Sequence, residues 1–442
     1  MSTFDQEELT PPQAGTLRSM CRYLLPLGLL GSFTAIAHAN PVALTDVRIY
    51  DGTGAAAIEQ GAIIIEDGRI QAIGAMNSIT IPDNAERRSL QGKTVTPGFI
   101  NAHGHAGDIR GLETGHYSEA NLLDQLGLYA RYGITTVISL GDDETEGFQL
   151  RDRQDSPDLD RARLYVAGPV LAPRSPQDAA RMVDETARLN PDFIKIRVDD
   201  NLGRTPKMTP EVYGAVIDQA ASHELPVAVH IYYLEDARNT VQRGAEVVAH
   251  SVRDTAVDDA FVQLMRERGA CYIPTFTREV STYVYESEPD FFSDPFFLAD
   301  ADPTVLSALR EPERQQAMAR SATGQQYKAA LPVAMANLKA LADGGVLVAM
   351  GTDSGPPARF QGYFEHLEMW MMQDAGLTPE QILYSATGAA AECGRVTGTG
   401  TLEAGNWADL IIFAENPLDD IRNTRSIDEV WVAGNQVPRP RF

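Results

Sequence analysis

The sequence predicts an α/β protein in which a (β/α)8 TIM-type barrel is joined to a small β-sandwich domain. Eight apolar, β-branched segments alternate with helix-like segments in the middle of the chain, and further short strand-like segments occur at both ends. The length of 442 residues suits a barrel of about 250 residues plus a smaller domain. The predicted barrel strands are residues 99–102, 135–140, 164–167, 193–197, 227–230, 247–250, 271–274 and 347–352.

The β-sandwich prediction rests on the two chain ends. Residues 43–50 alternate apolar and polar side chains, and residues 62–74 have a hairpin pattern around Asp67-Gly68. Strand-like runs also lie at 408–413 and 427–435. Neither end has enough strands for a stable domain of its own, so we expect the two ends to pair. The predicted domains are therefore a composite β-sandwich (40–96 with 399–442) and a barrel (97–398).

The first 39 residues have the pattern of a secretory signal peptide. Arg18 and Arg22 precede an apolar run at 24–37 that ends in the cleavage pattern AHA, and Met20 offers an alternative start. The apolar run is too short to span a bilayer comfortably. We therefore predict a periplasmic or secreted protein with no membrane anchor after cleavage.

The net charge argues against one class of function, and the cysteine content limits which residues could bind a metal. The net charge of −24 argues against nucleic-acid binding, because no basic surface is available to displace counterions. Of three cysteines, Cys21 leaves with the signal, and Cys271 and Cys393 are too few for a disulfide framework or a thiolate metal cage. A metal ion would have to be bound by histidine, carboxylate or another donor.

Residues suited to bind a metal follow the predicted barrel strands, at the edge where barrel active sites lie. His103 and His105 end the first strand, and their spacing of two residues places them on one face. His230 and His250 end the fifth and sixth strands, and Asp353 follows the eighth. Imidazole and carboxylate groups are ligands for zinc-type ions. The other histidines fit loops, helices or the signal peptide.

Lys195 lies inside the fourth predicted strand, flanked by apolar residues. Burial disfavours the ammonium and lowers its pKa, and the neutral amine can take up CO2 to become an anionic carbamate that bridges two cations. Alternatively, Lys195 is an ordinary snorkelling lysine, or one paired with Asp199 or Asp200. Spacing in the sequence does not separate these readings.

A long segment at 277–327 interrupts the alternation between the last two predicted strands. It is rich in aromatic and acidic residues. A lid or pocket wall and an ordinary helical insertion packed on the barrel flank are both open interpretations.

Several motifs together resemble the amidohydrolase superfamily, in the periplasmic branch similar to imidazolonepropionase-type hydrolases and metal-dependent prolidases. They are TPGFINAHGH (96–105), IKI (194–196), VHIY (229–232), GAEVVAH (244–250), GTD (351–353), GTLEAGNWADL (400–410), NPL (416–418) and AGN (433–435). They occur in the order typical of the family and span nearly all of residues 42–437.

The resemblance implies a site with two divalent metal ions, with zinc as the expected metal. One ion would be bound by His103, His105 and Asp353 and the other by His230 and His250, with N-carboxylated Lys195 bridging them. A metal-activated hydroxide would attack a carbonyl, and Asp353, as the catalytic residue, would accept its proton and pass it to the leaving group.

The resemblance also points to the substrate pocket. Tyr232 matches a position that hydrogen-bonds the substrate carbonyl or carboxylate. The histidine that prolidase-like relatives carry after the third strand is absent from residues 168–174, which weakens a prolidase assignment. The alternative carboxylate-binding residues are Arg174, Arg197, Arg278 and Arg359.

The leading hypothesis is a secreted metal-dependent hydrolase of an amide, peptide or cyclic-amide bond, either dipeptidase-like or prolidase-like or acting on N-acyl amino acids. One alternative is a mononuclear imidazolonepropionase-like or deaminase-like hydrolase with unmodified Lys195. Another is a non-catalytic periplasmic binding protein, which the complete ligand set disfavours. The expected partner is a small-molecule substrate, and self-association into a homo-oligomer stays open.

Overall fold

The computed structural model describes residues 40–438, so the predicted signal peptide lies outside the described residues. The strands of the described chain are β1 (Val42–Ile49), β2 (Ile58–Glu66), β3 (Arg69–Ala75), β4 (Glu86–Ser89), β5 (Thr94–Pro97), β6 (Phe99–Gly104), β7 (Ile134–Ser139), β8 (Arg163–Val166), β9 (Val170–Leu171), β10 (Ile194–Arg197), β11 (Val227–His230), β12 (Val247–Ala249), β13 (Cys271–Ile273), β14 (Leu347–Val348), β15 (Leu410–Phe413), β16 (Ile427–Val432) and β17 (Asn435–Gln436).

The helices follow most of the central strands. They are α1 (Glu119–Arg131), α2 (Thr145–Arg151), α3 (Pro176–Ala187), α4 (Pro210–Ser222), α5 (Leu234–Arg243), α6 (Asp259–Arg268), α7 (Phe276–Val280), α8 (Pro295–Leu298), α9 (Pro303–Leu309), α10 (Pro312–Ala319), α11 (Ala322–Asp343), α12 (Tyr363–Asp374), α13 (Pro379–Ser385) and α14 (Gly388–Cys393). Within residues 40–438 no helix has both the length and the apolar character needed to cross a membrane.

Local sequence chemistry explains where many of these helices begin and end. The Asp258 side chain caps α6 by accepting a hydrogen bond from Phe261 N, and Gly269 ends the helix in the left-handed conformation that glycine adopts most readily. The Ser118 side chain caps α1 in the same way, accepting from Asn121 N.

The central strands are parallel and form two sheets. One has six strands in the order β14-β13-β12-β11-β10-β9, and the other has three in the order β6-β7-β8. All eight predicted barrel strands are present, and β9 is an additional short strand. Backbone hydrogen bonds connect the sheets at both edges, for example from Ala102 N to Met350 O (2.9 Å) and from Thr352 N to His103 O (3.1 Å) at one edge, and from Asp192 N to Val166 O (2.8 Å) at the other. The ladder is therefore parallel throughout but not continuous, so it is not one closed eight-stranded sheet.

The two chain ends pair in one mixed sheet. Its eight strands run in the order β17-β16-β15-β5-β1-β2-β3, with β4 beside β1. The antiparallel pairing of β5 with β15, for example Thr96 opposite Ile411, joins the N-terminal and C-terminal segments. Around Asp46, which has φ of 58°, the partner of β1 changes from β4 to β5. Pairing of the two ends thus agrees with the sequence prediction, although the strands form a single sheet. The predicted domain boundaries stay a prediction.

The segment 277–327 forms short helices and packs through its aromatic side chains. Phe297 lies 4.8 Å from Phe360 and 5.0 Å from Tyr363 between ring centroids, so the segment is anchored to α12. Its first helix, α7, also brings Arg278 into the central cavity. The segment therefore packs against α12, as a helical insertion would, and also contributes Arg278 to the wall of the cavity, as a pocket wall would.

Cys271 and Cys393 form a disulfide, a single pairing that the sequence analysis did not predict. Cys271 begins β13 and Cys393 ends α14, and their Cα atoms are 5.7 Å apart. The sequence separation of 122 residues hides this proximity, because it arises only when α14 packs against the start of the central strands.

Candidate active site

A cavity of about 340 Å³ opens where the central strands end. Each residue predicted as a metal ligand lines it: His103, His105, Lys195, His230, His250 and Asp353. The four imidazole rings are neighbours in space, in the order His105, His103, His250 and His230. The distances between neighbouring ring centroids are 5.7 Å (His103–His105), 4.7 Å (His103–His250) and 4.1 Å (His230–His250). The strand-end positions recognised in the sequence therefore converge.

Asp353 is held at the cavity in a strained backbone conformation. Its φ is 55°, and its backbone N–H donates to His103 O at 2.6 Å. One carboxylate oxygen lies 2.9 Å from His105 Nε2, and the other accepts a hydrogen bond of 2.6 Å from Arg359 Nη1. Burial raises the pKa of this carboxyl, but Arg359, His105 and His103 together hold the pKa well below its usual value. Asp353 is therefore ionised, the form that binds a metal ion.

Lys195 is buried beside the histidines. Its Nζ lies 3.1 Å from His103 Nε2, and burial lowers its pKa to about 7. It forms no ion pair with a carboxylate in residues 40–438. The predicted partner Asp199 instead contacts His230 and Arg197, so the ion-pair reading with Asp199 is wrong. The other predicted partner, Asp200, accepts a hydrogen bond from the Tyr233 hydroxyl.

The pKa values of the other two cavity histidines, His230 and His250, are lowered by burial, which favours the neutral imidazole. Burial lowers the pKa of His230 to about 3, even though the ring nitrogen Nε2 lies 2.9 Å from Asp199 Oδ2. Burial likewise holds the pKa of His250 well below its usual value, and its Nδ1 lies 2.7 Å from Thr275 Oγ1. Neutral imidazole is the form that coordinates a metal.

These donors fit a divalent metal ion. One donor atom each from His103, His250 and Asp353 lie within 4.8 Å of one another. His103 Nδ1 is buried without a hydrogen-bond partner in the described part of the chain. Two imidazoles and a carboxylate are a common ligand set for zinc. His105, Lys195 and His230 line the same cavity but lie outside this most compact group.

Tyr232 does not line the cavity. Its ring packs against Tyr233 (4.9 Å) and Tyr327 (6.1 Å), and the Arg253 guanidinium lies 4.6 Å from its centroid. The predicted contact of Tyr232 with substrate stays a prediction.

Three of the four candidate carboxylate-binding arginines line the cavity: Arg197, Arg278 and Arg359. Arg174 is exposed and lies outside the lining. Arg278 differs from the other two because it is buried and its Nε has no hydrogen-bond partner within residues 40–438.

A buried ion cluster lies behind Arg278. The fully buried Glu279 carboxylate contacts both Arg278 and Arg253, each at 3.1 Å. One carboxylate between two guanidinium groups leaves a net positive charge next to the cavity. Burial lowers the pKa of Arg278, but Glu279, Tyr327 and Asp353 together outweigh burial and keep this pKa above its usual value.

Two further buried carboxylates, Glu365 and Glu368 on α12, escaped the sequence analysis. The available signal was a pair of acids three residues apart inside the largely apolar stretch 363–372. Such acids are rarely fully buried unless they have specific partners.

The comparison with known proteins agrees with this geometry. A sequence profile described as the Amidohydrolase family matches residues 94–437. The chain belongs to the amidohydrolase family. Imidazolonepropionase of Streptomyces coelicolor is 23% identical over 396 residues, covering 87% of this chain and 93% of that protein. Ochratoxinase of Aspergillus niger is 24% identical over 293 residues, covering 63% of this chain and 53% of that protein.

Solved structures show the same fold. A Xaa-Pro dipeptidase with bound methionine in its active site has a TM-score of 0.72 to this chain at 22% identity, covering 90% of this chain and 99% of that one. The protein is thus a hydrolase that acts on carbon–nitrogen bonds of small molecules. Members of this family generally bind divalent metals, and the His103, His250 and Asp353 cluster is present here.

Proposed function

We propose that the protein is a secreted, metal-dependent hydrolase of an amide, peptide or cyclic-amide bond, with dipeptides or N-acyl amino acids as its substrates. The observation that carries the proposal is the convergence of four histidines, Lys195 and Asp353 on one cavity. The structural similarity to a Xaa-Pro dipeptidase supports a dipeptide-like substrate.

The proposed site holds two divalent ions, expected to be zinc, with His103, His105 and Asp353 at one and His230 and His250 at the other. N-carboxylated Lys195 would bridge them. Its lowered pKa supports this role because the neutral amine is the form that reacts with CO2. When bound, the ions supply a hydroxide nucleophile at neutral pH and polarise the substrate carbonyl.

Side chains of the protein would transfer the proton and bind the substrate. Asp353 accepts a proton from the attacking water through the carboxylate oxygen nearer His105, and returns it to the leaving nitrogen. Arg359 binds the other oxygen and fixes the orientation of the carboxylate. Tyr232 is proposed to assist by hydrogen-bonding the substrate.

Arg278 is the best-placed residue for an anionic group on the substrate. Arg278 lines the cavity, and its buried Nε has no hydrogen-bond partner within residues 40–438 and lies 4.0 Å from Asp353 Oδ2. A substrate carboxylate would satisfy this donor and offset the net positive charge that Arg253, Glu279 and Arg278 create.

A mononuclear hydrolase similar to imidazolonepropionase or a deaminase is the second candidate. The compact grouping of His103, His250 and Asp353 favours it, because a single ion could be bound there while Lys195 remains an unmodified amine. The relative from Streptomyces coelicolor points the same way.

We also propose that the protein is secreted. A further part of the proposal is that the central strands form a closed barrel and that both chain ends form a β-sandwich. The Cys271–Cys393 disulfide supports export, because such bonds persist mainly in oxidising compartments. Hydrogen bonds at both edges of the two central sheets support closure of the barrel. N-terminal sequencing of exported protein should begin near Asn40, and recovery of only uncleaved cytosolic chain would contradict export.

The function is tested by metal analysis together with a substrate screen. Purified zinc-loaded protein is assayed against dipeptides, N-acyl amino acids, lactones and hydantoin-like rings, and its metal content is measured. About two ions per chain with hydrolysis of dipeptides or N-acyl amino acids supports the proposal. About one ion per chain with turnover of cyclic amidines or imidazolone-type rings supports the second candidate. Absence of hydrolysis across the loaded panel contradicts the proposed substrate class.

A further inference from the structure

Helix α12 contains two fully buried carboxylates, Glu365 and Glu368, for which the hydrolytic mechanism gives no role. Their spacing of three residues places them on one face of the helix. Neither forms an ion pair within residues 40–438. Burying a carboxylate without a cationic partner is costly, so the hydrogen bonds that each accepts must compensate.

Glu365 connects the strand that carries His103 to the loop that carries Asp353. A single oxygen, Oε1, accepts hydrogen bonds from Asn101 Nδ2 (2.6 Å), Thr352 Oγ1 (2.7 Å) and Ser354 Oγ (2.6 Å). Thr352 and Ser354 are the two chain neighbours of Asp353. The side-chain oxygen Oδ1 of Asn101 in turn accepts a hydrogen bond from His103 N at 3.0 Å.

Glu368 holds the segment that leads into Arg278. Its two oxygens accept hydrogen bonds from Phe276 N (2.7 Å), Thr277 N (2.7 Å) and Thr277 Oγ1 (2.8 Å). Thr275, which contacts His250, lies immediately before this anchored pair, and Arg278 lies immediately after it. The two glutamates therefore hold two neighbouring segments of the same cavity, which contact each other through Thr277 Oγ1 and the Thr352 carbonyl (3.2 Å).

The two segments that Glu365 and Glu368 bind contain residues with a strained backbone conformation. Asp353 has φ of 55° and Thr275 has φ of 51°, both in the left-handed region. For a β-branched residue such as Thr275 this conformation is an outlier, and strain of this kind costs about 1–3 kcal/mol per residue unless the surroundings enforce it. Each strained residue adjoins a residue that one of the glutamates binds.

We propose that Glu365 and Glu368 are positioning residues, which hold Asp353 and the Thr275–Arg278 turn in the strained conformations that direct them into the cavity. Neither glutamate touches the reacting atoms. Hydrolysis supplies the kinetic test of this inference, but the conformations themselves are tested independently of any substrate.

The test compares variants of Glu365 with a matched control on the same helix. Glu365→Leu removes the hydrogen-bond acceptor, whereas Glu365→Gln keeps an oxygen at the same place. His366→Leu is the control, because His366 is also fully buried on α12 but its ring contacts Thr424 and the Tyr132 carbonyl, away from the cavity. Both Leu variants should lower the melting temperature.

A positioning role predicts that only Glu365→Leu impairs turnover. We expect its kcat to fall at least ~10-fold with KM changed less than about threefold, because misplacing a catalytic group by about 1 Å has effects of this size. Glu365→Gln should restore most of kcat, and His366→Leu should leave kcat unchanged. Equal kcat values for Glu365→Leu and His366→Leu would overturn the inference.

Crystal structures provide the readout that does not depend on substrate. In Glu365→Leu, Asp353 should leave the left-handed region and lose its contact with His105. If Glu365→Leu does not fold, Ser354→Ala, which removes one of the three donors, replaces it, with a smaller displacement expected. An unchanged Asp353 conformation in the variant examined would refute the inference even if the proposed substrates prove wrong.

Discussion

At the scale of single residues, Asp353 offers the most direct test of the chemistry. Asparagine is the replacement of choice because it keeps the size of the side chain and tolerates a positive φ. Without a carboxylate to accept the proton, Asp353→Asn should lower kcat by at least ~10²-fold. The fold should persist with a modest loss of melting temperature, since Arg359 loses its ionic partner. Near-normal turnover would rule out this role.

Lys195 distinguishes the two candidate metal sites. If Lys195 is a carbamate, Lys195→Ala should lose most of its metal and activity, and short carboxylic acids should partly restore both by filling the gap. Lys195→Arg should also lack metal and activity, because the guanidinium group stays cationic and does not take up CO2. Metal content and kcat are the measurements, and Lys195→Arg with full metal and full activity would end the carbamate hypothesis.

Arg278 tests the nature of the substrate. Arg278→Met should lower kcat/KM by roughly 10-fold to 10²-fold for a dipeptide, because a hydrogen bond to a charged group contributes about 1.5–3 kcal/mol. The same dipeptide with its carboxylate amidated should be affected far less. Glu279 keeps its contact with Arg253, so folding should be preserved.

Exposed Arg174 provides the matched control for that experiment. Arg174→Met removes the same charge from a position outside the cavity and should leave kcat/KM unchanged for both substrates. An equal loss for acid and amide in Arg278→Met would mean that Arg278 does not bind the carboxylate.

Glu368 should make stability depend on pH. Burial raises its pKa to about 8, against a usual value near 4.5. Between these values the unfolded chain releases a proton that the folded chain keeps, so the free energy of unfolding should fall as pH rises from about 5 to 8. Glu368→Gln mimics the protonated acid and should flatten this slope, measured by urea unfolding. A slope that is the same in both proteins would contradict the assignment.

At the scale of secondary-structure elements, the sequence predicts the central strands well because burial on both faces produces apolar, β-branched runs. The helix-like segments predicted between these strands likewise correspond to helices, such as α4 (Pro210–Ser222) between β10 and β11. The strand β9 escaped prediction because two residues leave no periodic signal. The chain ends were predicted to pair, but their arrangement as one sheet depends on the change of partner along β1.

The sequence predicted those residues of the candidate site that are possible metal ligands at the ends of strands. His103, His105, His230 and His250 could be found because the end of a buried strand is a position that barrels use for chemistry. Glu365 has no such marker, since its role depends on which distant segments pack against it. Arg278 was one of four candidate arginines that the sequence did not rank. Asp199, one of the ion-pair partners that the sequence left open for Lys195, is near it in sequence but contacts His230.

At the scale of the whole molecule, one covalent link spans much of the catalytic half of the chain. The Cys271–Cys393 disulfide encloses the segment that contains Arg278, Asp353 and both buried glutamates of α12. Cys271 is the first residue of β13, whereas the cavity lies beyond the last residue of that strand. The link can therefore stabilise the fold without contacting the reacting groups.

Breaking this link should lower stability and leave the chemistry intact. A closed loop of this size contributes at most about 5 kcal/mol by restricting the unfolded chain, so the Cys271→Ser/Cys393→Ser double variant should unfold at lower urea and lower temperature. Its kcat at 25 °C should match that of the unaltered protein. Reductant should shift the melting temperature of the unaltered protein toward that of the double variant and should not affect the variant itself. Two titratable thiols in the denatured, unreduced protein, with a melting temperature that reductant does not change, would show that the disulfide does not form.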